Sequence, residues 1–361
     1  MNDLLISLSK YLFIAVKRLF RSKKNYDNKI GVLAFKFLGD TVFTIPAIEL
    51  LIKKSLGKEI TIFCFNDSKL IYEIYFANLN CVTLDKTELS FENRIPSFKL
   101  ISLLRDYKPN KLFDLSCEYK TALASLFSGA DELIGFNSKY FRWIFDSFSL
   151  KRETPHLIDM NLDPVKKYFN VNSYSFSINP ENNRNLEGKI LINPFAGWKA
   201  KEWNLDKIIK LASDLNFEYN VAIICEENKI SADVVNKLLT LNINFILSNS
   251  VKNLIEELNR ASLVISNDTG SIYIGYLLGK STFTIYGPTN PKYSLPAGKN
   301  HSYIRHVVSC SPLDNKQYCY TYGGRNCSLN DCMKFLDYEI VKNNIFKFIS
   351  EQRIPKRMKV S

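Results

Sequence analysis

The chain has 361 residues, enough for two domains with cores of their own, and 46% apolar with 23% charged content excludes a disordered or fibrous chain. Its net charge of +12 fits a polyanionic partner: a nucleotide, a nucleic acid or an anionic membrane surface. No nucleic-acid-binding module and no basic face with interleaved aromatics accompanies that charge, which sets nucleic acid aside.

The elements begin with a basic segment. Residues 1–29 carry Lys10, Lys17, Arg18, Arg21, Lys23, Lys24 and Lys29 against Asp3 and Asp27. Leu4, Leu5, Leu8, Tyr11, Leu12, Ala15, Val16, Leu19 and Phe20 recur at i, i+3 and i+4, which predicts an amphipathic helix within 1–28. Lys10 interrupts the run, so it is no transmembrane helix, and it lacks the n-region and cleavage site of a signal peptide. Two accounts remain open: a helix lying on a membrane surface, or one docked on the protein's own body.

Next, KIGVLAFKF (29–37) reads as a buried strand, LGDTVFTIPAIELLIKKSLG as a turn and helix ending at Gly57, and EITIFCF (59–65) as a second strand. KLISLLRDYKPN reads as a helix stopped by Pro109, KLFDLS (111–116) as a third strand and DELIGF (131–136) as a fourth. The pattern weakens over 138–188, and NPENNRNLEG (179–188) reads as a linker. It restarts with strands in KILINPF, NVAIICE, INFIL, LVISND and STFTIYG, separated by helices. The prediction is an α/β chain of two Rossmann-like domains facing a cleft, 29–178 and 189–345, followed by a basic tail, 346–361. Ligands in such sheets bind at the carboxyl ends of the strands.

Three stretches stand at those ends. In LGDT (38–41), Gly39 permits a tight turn and Asp40, beside Thr41, is placed either to take a proton from a sugar hydroxyl or simply to cap a helix. In NPFAGWKAKEW (193–203), Lys199 and Lys201 can meet a diphosphate, or be surface lysines of a solvated loop. In SNDTG (266–270), Asp268 can accept from sugar hydroxyls while the N–H groups of Thr269 and Gly270 open a helix toward phosphate oxygens; a plain helix cap is again the simpler account. Gly287, Pro288 and Thr289 form the turn after the next strand. No P-loop and no G-x-G-x-x-G follows any strand.

Of eight cysteines, Cys64, Cys117 and Cys225 read as buried thiols and Cys81 is isolated. Cys310, Cys319, Cys327 and Cys332 cluster without a C-x₂-C pair, so no metal site is assigned; reduced loop thiols are the default and a disulfide the alternative.

In their order, LGDTVFTIPAIELL, NPFAGWKAKEWNLDKIIKLASDL and NDTGSIYIGYLLGKSTFTIYGPTNP resemble the ADP-heptose:lipopolysaccharide heptosyltransferases, glycosyltransferase family 9, over residues 29 to 345. The resemblance implies a GT-B fold with the acceptor on the N-terminal domain and the nucleotide sugar on the C-terminal one. It implies an inverting enzyme that needs no cofactor or metal. Asp40 matches the general base, Lys201 the lysine on the donor phosphates, and Asp268, Thr269 and Gly270 the segment holding sugar and diphosphate. Glu226 or Glu227 matches the acidic position on the ribose. Two departures stand out. Tyr273 occupies the position where the family usually has His, and Phe195-Ala196-Gly197-Trp198 is bulkier than the usual small-residue loop. Tyr can donate a hydrogen bond but carries no positive charge. The implied activity is heptose transfer from ADP-heptose to a lipid-linked lipopolysaccharide or lipooligosaccharide core, by a cytoplasmic enzyme peripheral on the inner face of the membrane. Another nucleotide sugar, or a non-catalytic member of the fold, are the alternatives.

Overall fold

Runs of Val, Ile, Leu and Phe that alternate with helices can bury both faces of a parallel sheet, and this chain does so twice. The structure, a computed structural model, describes residues 3–21, 28–89, 97–149, 156–176, 188–319 and 325–357. The linker read at 179–188 lies outside them except for Gly188. The chain divides into two compact units, Met1–Phe176 and Ser177–Ser361.

The first unit contains β1 (Lys29–Leu33), β2 (Glu59–Phe65), β3 (Asn80–Leu84), β4 (Lys111–Asp114), β5 (Glu132–Gly135) and β6 (Ser147–Phe148). All pair in parallel, in the order β3-β2-β1-β4-β5-β6. Val32 of β1 lies between Ile62 and Phe113. Gly31 beside it admits close packing: a Cβ there would meet Leu112 Cδ1 at 2.8 Å. Leu33, Phe63, Phe65, Leu104 and Leu112 are sealed in the core, each such side chain contributing roughly 1.5–3 kcal/mol relative to exposure.

The first helix, Asp3–Phe20, docks on this unit. Phe13 is buried and Val16 packs against the same core. Asp146 accepts from Lys17 at 2.9 Å and from Arg21 at 2.6 Å. The Lys10 ammonium lies 4.7 Å from the Trp143 ring centroid, and Phe20 meets Phe127 edge-on at 5.0 Å. The helix's other face keeps Tyr11 (67%), Leu12 (61%) and Leu19 (80%) in the open. No helix among the described residues is long and apolar enough to cross a membrane.

The second unit contains β7 (Lys189–Asn193), β8 (Asn220–Cys225), β9 (Asn244–Leu247), β10 (Leu263–Asn267), β11 (Ser281–Tyr286) and β12 (His301–Arg305). Its parallel order, β12-β11-β10-β7-β8-β9, repeats the plan of the first. In both sheets the order reverses between the first and fourth strands, β1/β4 and β7/β10, and a crevice opens at their carboxyl ends. The segment read as a tail from 346 differs in the structure. A helix runs Tyr338–Gln352, capped by Asp337 accepting from Ile340 N at 3.0 Å, and buries Val341, Ile345, Phe348 and Ile349 in the core.

Candidate active site

In the second unit the loops after β7 and β10 are laced together by amides. Asn267 Nδ2 donates to Pro194 O at 2.7 Å, and Trp203 N donates to Asn267 Oδ1 at 3.1 Å. Asn193 Nδ2 donates to Ser271 Oγ at 2.8 Å, and Ser266 Oγ to Asn193 O at 2.9 Å. The sequence reading missed Asn193 and Asn267. Their signal was only position, at the last residue of a strand.

Asp268 is the hub of this crevice. Its Oδ2 accepts from Lys201 Nζ at 2.7 Å and Thr289 Oγ1 at 2.8 Å, while Oδ1 accepts a short bond from the Tyr273 hydroxyl. Lys201 also reaches the Asp268 carbonyl oxygen at 3.2 Å. Burial works against the carboxylate's charge, but the Lys201 ammonium and these donors outweigh it and hold its pKa below the ordinary value. Tyr273 is itself buried, and burial together with the Asp268 charge raises its pKa well above the usual one. It is a neutral donor at working pH. Thr269 caps the helix Gly270–Leu277 without a side-chain cap bond; its hydroxyl exchanges a bond with Ser266 Oγ at 2.9 Å.

Other predicted residues fall around this hub. Lys199 is 89% exposed and paired with Glu202 at 2.6 Å, a surface lysine rather than part of the Asp268 network. Gly287 is closed off by Met333: a Cβ there would lie 2.8 Å from Met333 Cγ. Its smallness serves packing, and Thr289 carries the polar contact of that turn. Glu226 and Glu227 are exposed at the end of β8, and Glu226 pairs with Lys229 at 2.9 Å. Trp198 is half-buried, with Lys201 Nζ 4.5 Å and the Arg325 guanidinium 4.8 Å from its ring centroid and Tyr318 at 5.2 Å.

In the first unit, β1 runs into the short helix Leu38–Val42, which carries Gly39 and the exposed Asp40 in its first turn. Thr41, expected on the acceptor side, is instead wholly buried. Its hydroxyl donates to Phe37 O at 3.0 Å and meets Ser68 Oγ at 3.0 Å, so it fixes the turn from behind. Thr44 Oγ1 extends the network to Thr41 O at 2.7 Å and the Tyr72 hydroxyl at 2.9 Å. Across the crevice, Ser116 after β4 accepts from Phe35 N at 3.0 Å with its Oγ and from Lys36 Nζ at 2.6 Å with its carbonyl oxygen. Asp114, fully buried, holds that loop by accepting from Ser116 N at 2.9 Å and Thr121 Oγ1 at 2.8 Å. Burial pushes its pKa up to about 7 despite those donors and Lys36.

Among the described residues no group of three or more His, Cys, Asp or Glu is disposed to hold a metal ion. The eight cysteines are free thiols. Burial pushes Cys332 up to about 11, and Cys319, Cys310 and Cys327 lie near enough to add to that rise.

The family model of glycosyltransferase family 9 (heptosyltransferase) matches residues 98–321. Lipooligosaccharide heptosyltransferase 2 of Campylobacter jejuni serotype O:2 is 24% identical over 332 residues, covering 87% of this chain and 96% of its own. Among solved structures, Escherichia coli ADP-heptose lipopolysaccharide heptosyltransferase II superposes with a TM-score of 0.67 at 14% identity, over 90% of this chain and 99% of that one. An E. coli heptosyltransferase with ADP superposes at 0.63 and 13% identity, over 90% and 98%.

Proposed function

The chain belongs to glycosyltransferase family 9 and is a glycosyltransferase of the heptosyl-transferring kind; on that premise we propose that it moves heptose from ADP-heptose to a lipopolysaccharide or lipooligosaccharide core acceptor, with inversion and without a metal or other cofactor. The observation that carries this reading is the Asp268–Lys201–Tyr273–Thr289 hub at the β7/β10 crevice. It sets an ammonium and a helix start where a diphosphate can bind.

In this mechanism the acceptor hydroxyl attacks the anomeric carbon as Asp40 takes its proton. The bond from that carbon to the diphosphate oxygen breaks, and its electron pair leaves with ADP. Lys201 and the N–H groups of Thr269 and Gly270 stabilise the charge that grows on the leaving oxygen. Fixed donors of this kind do for the leaving group what a metal ion does elsewhere. Glu227, on the neighbouring strand end, suits the ribose hydroxyls.

The acceptor is lipid-linked, so the same reading puts the enzyme on the cytoplasmic face of the inner membrane. Tyr11, Leu12 and Leu19 support it, since they form an apolar face on a helix whose sequence is rich in Lys and Arg. A second reading, a different nucleotide sugar for another envelope glycan, is favoured by one observation: Tyr273 binds Asp268 as a neutral donor.

Calorimetric titration in EDTA with ADP-heptose and with GDP-, UDP- and CMP-sugars tests both. Selective binding of ADP-heptose supports the first reading. Selective binding of another sugar nucleotide supports the second. Binding of none overturns both donor assignments.

A further inference from the structure

Charge accounting at the β7/β10 crevice exposes a deficit. A sugar nucleotide brings about two negative charges on its diphosphate, and the departing nucleoside diphosphate gains another. Lys201, the cation of the Asp268 hub, is already matched by Asp268 at 2.7 Å, and Lys199 by Glu202 at 2.6 Å. With no metal in the proposed mechanism, the loop after β7 offers the diphosphate no net positive charge.

Arg325 supplies one. It forms no ion pair with a carboxylate among the described residues, and its guanidinium lies 4.8 Å from the centroid of the Trp198 ring, the ring that Lys201 Nζ approaches at 4.5 Å. Residues 313–319, earlier in the same stretch of chain, are stitched onto the Asp268 site. Asn290 N donates to Gln317 O at 3.0 Å, Cys319 N to Pro288 O at 2.9 Å, and Asn290 Nδ2 to Leu313 O at 3.0 Å. Tyr318 pairs with Thr289 in a β-bridge and places its own ring 5.2 Å from Trp198. Thr289 in turn donates to Asp268. Arg325 is exposed beside that ring, and the planar N–H fork of an arginine matches two phosphate oxygens at once.

Resting on the donor reading above, we propose that Arg325, held against Trp198, is the second cation of the donor site and binds the diphosphate of the sugar nucleotide. Lys201 and Asp268 set the geometry there and Arg325 provides the net charge.

The test is calorimetric titration of ADP and of AMP, in EDTA, into the wild type, Arg325→Gln, Arg325→Lys and the remote control Lys237→Gln, whose lysine pairs with Asp206 on the surface. Loss of a charge-assisted contact predicts that Arg325→Gln weakens ADP by about tenfold or more. AMP, with no β-phosphate, loses less than about threefold, Arg325→Lys falls between, and the control is unchanged. The salt dependence of ADP binding becomes shallower in Arg325→Gln. Arg325 is exposed, so thermal melting of the variants should match the wild type. The proposal is overturned if Arg325→Gln binds ADP within about twofold of wild type, if ADP and AMP weaken equally, or if Arg325→Lys is no better than Arg325→Gln. Failure of the wild type to bind ADP overturns the donor reading itself, a different result from wild-type binding that ignores Arg325.

Discussion

Two buried carboxylates stand at matching places in the two sheets, Asp114 as the last residue of β4 and Asp268 immediately after β10. They differ in what faces them. Asp268 has an ammonium at 2.7 Å and is held below its ordinary pKa. Asp114 has neutral donors, the Thr121 hydroxyl and Ser116, and no ion pair among the described residues, while the Lys36 ammonium bonds the Ser116 carbonyl oxygen; its pKa rises to about 7. Burial thus raises a carboxyl's pKa even against neutral donors, and a bonded cation holds it down. The second unit carries a fixed charge pattern at its crevice. The first places Asp40, the base of the proposed mechanism, on an exposed turn braced by neutral hydroxyls.

Removing Asp40 should show the largest effect. Asp40→Asn is expected to lower kcat by about 10²–10⁴-fold with ADP binding intact. Turnover near wild type in a radiolabelled transfer assay would remove Asp40 from the mechanism.

Breaking the fixed pair comes next. Lys201→Met strands a buried carboxylate and should cost about 3–5 kcal/mol in urea unfolding. The double variant Lys201→Met/Asp268→Leu should regain most of that stability while ADP affinity stays lost. A double variant as unstable as the single one would mean that the charge pair is not what matters.

Tyr273→Phe takes one donor from Asp268, at a cost of about 1–3 kcal/mol. An acid whose folded pKa is lowered contributes stability that is present above its unfolded pKa and lost as pH falls through the folded one. With one donor gone the folded pKa rises toward the unfolded value, so acid unfolding of Tyr273→Phe should begin at higher pH than in wild type. Superimposable acid-unfolding curves would contradict the hydrogen bond.

A further effect should have the opposite sign. Asp114 has a raised folded pKa, so between the unfolded value near about 3.9 and the folded value the native state holds the extra proton. Its contribution to stability therefore falls as pH rises through that window and is level above about 7. Asp114→Asn removes the slope, and its melting temperature relative to wild type should climb from pH 4 to pH 7. A constant difference across that range would show that Asp114 does not titrate there.

The central strands were legible because β1, β2, β7, β8, β10 and β11 are apolar runs buried on both faces. β3 (NCVTL), β6 (two residues) and β12 (HSYIR) were not, since they are short or half-exposed and lie at or next to sheet edges. Lys201 and Asp268 could be picked out because short motifs hold them at loop ends, and Tyr273 as a departure in the helix that follows; the structure joins all three. Gly287 was chosen as a ligand neighbour, and the structure adds a packing partner that sequence could not show, Met333, far along the chain. Arg325 had no signal in sequence, because its place depends on the fold of 313–319 against 288–290. The basic residues of 346–361 hid a core helix, whose buried face recurs as Val341, Ile345, Phe348 and Ile349.

The docking of the first helix sets a timetable for synthesis. Lys17 is clasped by Asp146, 129 positions later in the chain. The Phe141 and Phe145 rings that share Phe13's core come equally late. At about 5–20 residues per second, the ribosome needs on the order of ten seconds to deliver that partner after the helix itself. Through that interval Phe13 and Val16 lack their places in the core, and Leu12 and Leu19 remain uncovered as they do in the finished fold. The nascent chain therefore shows its surroundings a wider greasy strip than the mature enzyme does, and whatever first meets it there, lipid or chaperone, meets it before the domain can claim its own helix.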